Sequence, residues 1–170
     1  MALQKKVNIV PIGGMPGDLF KNPLNAFGAI AKEPLTIGTG VWGDNRKFVV
    51  NNNSNTGSAL KLFLGFVVNM RDNIMTNITA ESMQVIPAGQ QVTILTEGAL
   101  IVKSTASGSV KIGDYVAVSE TNGAIQTQDN STSPIEGHKF IGGWSVIEIL
   151  DEENKIVAIS NIDNTYRGGN

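Results

Sequence analysis

The chain has no cysteine, which excludes disulfides, iron–sulfur clusters, thiolate zinc sites and thiol nucleophiles. It has a single histidine, His138, with only Glu136 as an acid close by in sequence. A nucleophile needs a base beside it, and a histidine metal site needs further ligands, so both chemistries lack parts. Charged residues make up 16 % of the chain, below the roughly 25 % of an ordinary soluble domain. The net charge is −2, which argues against a nucleic-acid or anionic-membrane surface, since either needs a basic stripe. The longest apolar run, from Leu60 to Val68, is interrupted by Lys61 and Gly65 and is too short to cross a bilayer. No signal-peptide pattern opens the sequence, so export is not expected. Aromatics are scarce at 6 %.

What is present points to strands and turns. The 170 residues suffice for one domain with its own core, or one domain and an arm. Hydrophobic residues make up 41 %, and 19 glycines and 17 asparagines, with many Ser and Thr, take the place of charge. Such residues favour turns and extended chain over helix. From Leu35 onward, apolar β-branched runs of strand length recur between turn residues. They predict strands at 35–42, 46–50, 60–68, 82–86, 90–95, 98–104, 110–119, 124–128, 139–149 and 155–162, and no segment there sustains a helical period. Asn122-Gly123 predicts a two-residue hairpin with both central positions at positive φ. Asp151-Glu152-Glu153-Asn154 predicts a second, charged hairpin turn. The fold class expected is all-β, a small β-barrel or β-sandwich.

Residues 1–34 read differently. Val7 and Ile9 alternate with polar neighbours as in a short strand. Pro11-Ile12-Gly13-Gly14-Met15-Pro16-Gly17-Asp18 forbids regular structure. Asn22-Pro23-Leu24 is able to start a short helix with Leu24, Phe27 and Ala31 on one face, but the expectation is an extended or irregular N-terminal arm. The organisation expected is an arm over 1–34, a β domain over 35–162 and a tail over 163–170.

A short strand-opening motif appears three times, as Ile37-Gly38-Thr39-Gly40-Val41, Ala88-Gly89-Gln90-Gln91-Val92 and Ile112-Gly113-Asp114-Tyr115-Val116. In each, a glycine precedes by three residues a valine expected to face the core. The reading is a tight turn at glycine followed by a strand that starts with its β-branched residue inward.

Other chemistry does not assemble. Asp18, Asp44, Asp72 and Asp114 sit in turn contexts, and no calcium-loop spacing occurs. Asn51 to Gly57 is a polar loop without a charged ligand. Ile12-Gly13-Gly14-Met15-Pro16-Gly17 lacks the Lys-Ser/Thr of a phosphate loop. Trp42 and Trp144 follow glycines inside apolar runs and read as core rings, and Gly142-Gly143 reads as close backbone packing beside Trp144. Sequons at Asn52, Asn77 and Asn130 are incidental in an Asn-rich chain. Neither catalytic nor metal residues nor a cofactor are expected.

The order of these pieces resembles the structural cement, or head decoration, proteins of tailed bacteriophages. The resemblance covers roughly 12–145. It rests on Gly17-Asp18, Gly38 to Val41, Leu64-Gly65-Phe66-Val67-Val68, Pro87-Ala88-Gly89-Gln90-Gln91-Val92-Thr93-Ile94-Leu95, Gly113-Asp114-Tyr115-Val116 and Asn122-Gly123. It implies a β-barrel or sandwich on the outside of the virion capsid that bridges major capsid proteins, without an active site. Some members form trimers, so self-association is a further implication. The large apolar groups of the arm, Ile12, Met15, Leu19, Phe20, Leu24 and Phe27, are then the expected partner-binding residues, with Tyr166 and Arg167 at the other end. Burying each apolar group is worth roughly 1.5–3 kcal/mol, while ordering the arm costs roughly 1–2 kcal/mol per residue. Such an arm either orders on a partner or wraps its own barrel and closes an open edge. The competing function is a glycan- or receptor-binding β module of a head fibre or tail.

Overall fold

A computed structural model describes residues 14–20, 23, 25–44, 49–54, 62–70, 85–129 and 135–162 of the chain. Among these residues there are twelve strands and no helix. The strands are β1 (Asn25–Ala31), β2 (Leu35–Thr36), β3 (Gly40–Asp44), β4 (Val49–Asn51), β5 (Leu62–Val67), β6 (Val85–Ile86), β7 (Gln91–Glu97), β8 (Ala99–Lys103), β9 (Tyr115–Ser119), β10 (Ile125–Gln128), β11 (His138–Asp151) and β12 (Ile156–Ser160). Five of them close a barrel in the order β1-β4-β3-β5-β7. Five more form a sheet in the order β10-β9-β11-β12-β8, and β2 pairs with β6 as a short ribbon. The all-β expectation holds.

The three predicted strand openings have a common geometry. Gly38, Gly89 and Gly113 take φ values of +77°, +81° and +92°. The valines three residues on, Val41, Val92 and Val116, are buried. Val41 and Val92 face the barrel interior, whereas Val116 joins a second core between barrel and sheet. The barrel interior also holds Ala29, Ala31, Val50, Val67 and Ile94. The second core takes Trp42, Phe66 and Leu95 from the outer wall of the barrel, and Leu100, Val116, Trp144, Val146 and Ile159 from the sheet. One strand therefore serves both cores by alternation, as β3 does with Val41 inward and Trp42 outward.

β5 departs from that alternation. Phe63 and Phe66 both face the second core, while Leu64 and Val67 both face the barrel interior. One extra residue resets the phase, and it is Gly65, with φ at +146°. A Cβ at Gly65 would collide with the carbonyl oxygen of Leu95 on the adjacent strand. The register with β3 shifts at the same place, as a β-bulge requires.

The arm is corrected in two places. Asn25–Ala31 is neither helical nor irregular: it is β1, antiparallel to β7 and parallel to β4. Its inward residues are Phe27, Ala29 and Ala31, a period of two, not the helical period. Upstream, residues 17–20 run along β8, the edge of the five-stranded sheet. The Gly17 and Phe20 N–H groups donate to the carbonyls of Ile101 and Ala99 at 2.7 and 3.0 Å, and the Ile101 N–H donates to Asp18 at 2.9 Å. Leu19 bridges Leu100. This segment closes an edge of its own sheet and removes a site for unwanted strand pairing. The far edge, β10, is covered by Ser104 and Thr105, whose backbone meets Ile125.

Other differences are local. Residues 35–42 split at Gly38 into β2 and β3. In the β9–β10 connection only Gly123 has positive φ, at +69°. Its N–H donates to the Ser119 carbonyl at 3.1 Å and Asn122 Oδ1 accepts from the Ala124 N–H at 3.0 Å, giving a longer loop than the predicted two-residue turn. Gly142 and Gly143 are exposed, in a bulge of β11, rather than packed against backbone. Trp42 and Trp144 are core rings, as predicted. Val7, Ile9 and the tail over 163–170 lie outside the described residues.

Candidate functional site

Two turns with one sequence pattern present apolar side chains to solvent. In Met15-Pro16-Gly17-Asp18, the Asp18 N–H donates to the Met15 carbonyl at 2.9 Å, and Asp18 Oδ2 accepts from the Met15 N–H at 2.8 Å. In Lys111-Ile112-Gly113-Asp114 the same two bonds run from Asp114 to Lys111 at 3.1 Å and from Lys111 to Asp114 Oδ2 at 2.8 Å. Gly17 and Gly113 have matching φ values of +94° and +92°, so a left-handed residue and an aspartate clamp close each turn.

The first turn is tied to the body on several sides. The Asn69 amide donates to Asp18 Oδ1 at 2.8 Å, and the Asn69 N–H donates to the Gly17 carbonyl at 2.8 Å. The Gly17 Cα faces the Ile37 side chain so closely that a Cβ would overlap it. The apolar groups on and beside this turn are held outward: Met15 is 55 % exposed, Leu19 37 % and Met70 39 %. Replacing Asp18 with Ala removes both clamps, and the expected cost is about 1–2 kcal/mol, read as a lower midpoint in urea unfolding. An unchanged midpoint contradicts this role for the carboxylate.

The sequence-predicted partner-binding residues divide accordingly. Met15 and Leu19 come together on the exposed turn and its following residue. Phe20 is half-buried. Phe27 packs against the barrel core and is withdrawn from the partner set, because β1 turns it inward. Ile12, Leu24, Tyr166 and Arg167 lie outside the described residues. The sequence reading missed Met70 and Ile112, the latter 68 % exposed. The repeated x-x-Gly-Asp pattern was the signal that could have found Ile112.

Reactive groups are dispersed. His138 Nδ1 lies 3.4 Å from the Glu136 carbonyl oxygen. Among the described residues no three His, Asp or Glu side chains gather to hold a metal ion. Asp151 caps the β11–β12 hairpin, accepting from the Asn154 side chain and N–H at 2.8 and 3.0 Å. These bonds hold its carboxyl below the ordinary aspartate range, the side-chain bond most strongly. A depressed carboxylate pKa supports the fold above that range, and the support is lost as pH falls through the lowered value. This is turn chemistry, in line with the charged hairpin predicted there.

Comparison with known proteins places this geometry. A family model described as the XM1 gp53 minor capsid protein matches residues 4–161. No curated protein matches the sequence. Among solved structures, a chain in the capsid of the myovirus phage XM1 aligns with a TM-score of 0.61 at 14 % identity, over 95 % of this chain and 98 % of that one. At this identity the likeness is one of fold. The N base of the head fibre gp8.5 of bacteriophage phi29 aligns over 82 % of this chain and 98 % of that one, at 14 % identity and a TM-score of 0.38.

Proposed function

The chain belongs to the XM1 gp53 minor capsid protein family, and from that membership we propose that it decorates the phage head. In this reading it binds the outer surface of the assembled capsid and bridges major capsid proteins, with no catalytic step of its own. It stabilises the shell by mass action, because it binds the lattice and not free subunits. Individual contacts need only be weak, since many copies act on one particle.

The observation that carries the reading is the turn at 15–18, which holds Met15 and Leu19 outside the core on a braced backbone. A braced turn loses little entropy on docking. Covering the exposed parts of these two side chains is worth about 1 kcal/mol each, a fitting scale for one contact among many. Ile12, Leu24, Tyr166 and Arg167 extend the proposed surface on sequence grounds.

The test is co-sedimentation with phage heads that lack the protein. A Met15→Asp, Leu19→Asp double variant is expected to melt like the parent and to bind at least tenfold more weakly, since tenfold is about 1.4 kcal/mol. Equal binding by the double variant removes the turn from the interface. A parent chain that stays in the supernatant removes the decoration reading itself.

A further inference from the structure

A groove of about 440 Å³ runs beside β10, walled by the 106–111 loop and bounded at one end by Ile135. Its size is that of a small-ligand site. It lies along β10, at the opposite end of the sheet order from the 15–18 turn, which lies along β8.

The lining is mostly neutral and polar. Ser107, Ser109, Gln126 and Gln128 contribute hydroxyls and amides. Lys111 is the only cation among the lining residues, against Asp114 and Asp129, so a phosphate or sulfate finds no net positive field. A metal ion finds no cluster of ligands among the described residues.

Gln126 is the informative residue. It is only 6 % exposed, yet it lines the groove. Its side-chain amide makes no hydrogen bond to any described residue. A buried amide without a partner weakens a fold, so its presence calls for a ligand that pairs with it. The β9–β10 register sets Gln126 opposite Ala117 and Gln128 opposite Tyr115, in the alternation that puts Gln126, Gln128 and Tyr115 on one face. The Tyr115 ring is 42 % exposed and is steadied edge-on by Phe140, with centroids 6.1 Å apart.

A steadied, exposed ring beside free amide and hydroxyl groups matches one ligand chemistry. A sugar ring offers an apolar C–H face for stacking and hydroxyls that both donate and accept. We infer that this groove binds a neutral glycan, with Gln126 pairing sugar hydroxyls and Tyr115 stacking on a ring. The inference does not depend on capsid decoration, and the two fail separately.

The experiment applies the full chain to a printed array of neutral and charged glycans, then measures the variants on the best neutral hit. The parent is expected to retain neutral glycans. Gln126→Leu is expected to melt at or above the parent temperature and to bind at least tenfold more weakly, and Tyr115→Ala to bind more weakly with a near-parent melt. Retention of charged glycans alone, or of none, overturns the inference. So does parent-like binding by Gln126→Leu, or a clear drop in its melting temperature, which would mean that the amide has a structural partner.

Discussion

Deletion of residues 1–31 is expected to abolish cooperative folding, while deletion of 1–13 leaves a chain that still melts cooperatively. β1 is a stave of the closed barrel. It pairs with β7 from Asn25 to Ile30 and with β4 at Ile30 and Ala31. Without it the barrel opens and exposes the edges of β4 and β7, and the buried Ala29 and Ala31 leave the interior. The same deletion strips the 17–20 segment from β8. A domain is stable by only about 5–15 kcal/mol in all, and the loss of a full stave exceeds that margin. The shorter deletion leaves every described strand pairing in place. Circular dichroism melts of the two truncations decide the matter: a sharp transition in the 1–31 deletion contradicts the barrel closure described above.

Phe66→Ala is expected to cost about 3–5 kcal/mol. The Phe66 side chain is fully buried, and it joins the two halves of the molecule. It meets Phe63 of its own strand at 5.2 Å between centroids and Trp144 of the second sheet at 4.7 Å, both edge-to-face. Truncation leaves a cavity between barrel and sheet that neither rigid wall collapses to fill. Guanidinium unfolding should show a shifted midpoint, with one transition if barrel and sheet remain coupled. A loss below about 1 kcal/mol contradicts the packing of barrel on sheet.

Much of this was legible in the residues. Strand openings at Gly38, Gly89 and Gly113 showed because the glycine and the valine three residues later are both set by local geometry. All ten predicted strand segments contain an observed strand, for the same reason: β-branched runs between turn residues carry their own signal. β1 did not show. Its residues, Asn25-Ala26-Phe27-Gly28-Ala29-Ile30-Ala31, have little strand preference, and a proline stands two residues before them. What makes them a strand is closure of the barrel through β4 and β7, a non-local constraint that propensity does not carry. Gly65 lay within a run that read as uninterrupted strand, and its bulge depends on the Leu95 carbonyl beside it.

The site was less legible than the fold. Met15 and Leu19 could be named as apolar groups in a segment unsuited to a core, but whether such a segment folds back or reaches out is decided by the edge of β8. Residues 17–20 fold back while the side chains of Met15 and Leu19 still face solvent. Phe27 reversed its role once β1 formed, because alternation turned it inward. Gln126 carried no signal at all, since an amide in a strand gains meaning only when the face it occupies is known.

The claim under the proposed function is that a scaffold of closed and covered strands serves by adhering to the phage shell. Quantitative mass spectrometry of purified virions tests it most directly. The account predicts this chain at high copy number, in a fixed simple ratio to the major capsid protein, and retained on tailless heads. A chain missing from virions, or one that follows the tail when heads and tails are separated, would contradict it.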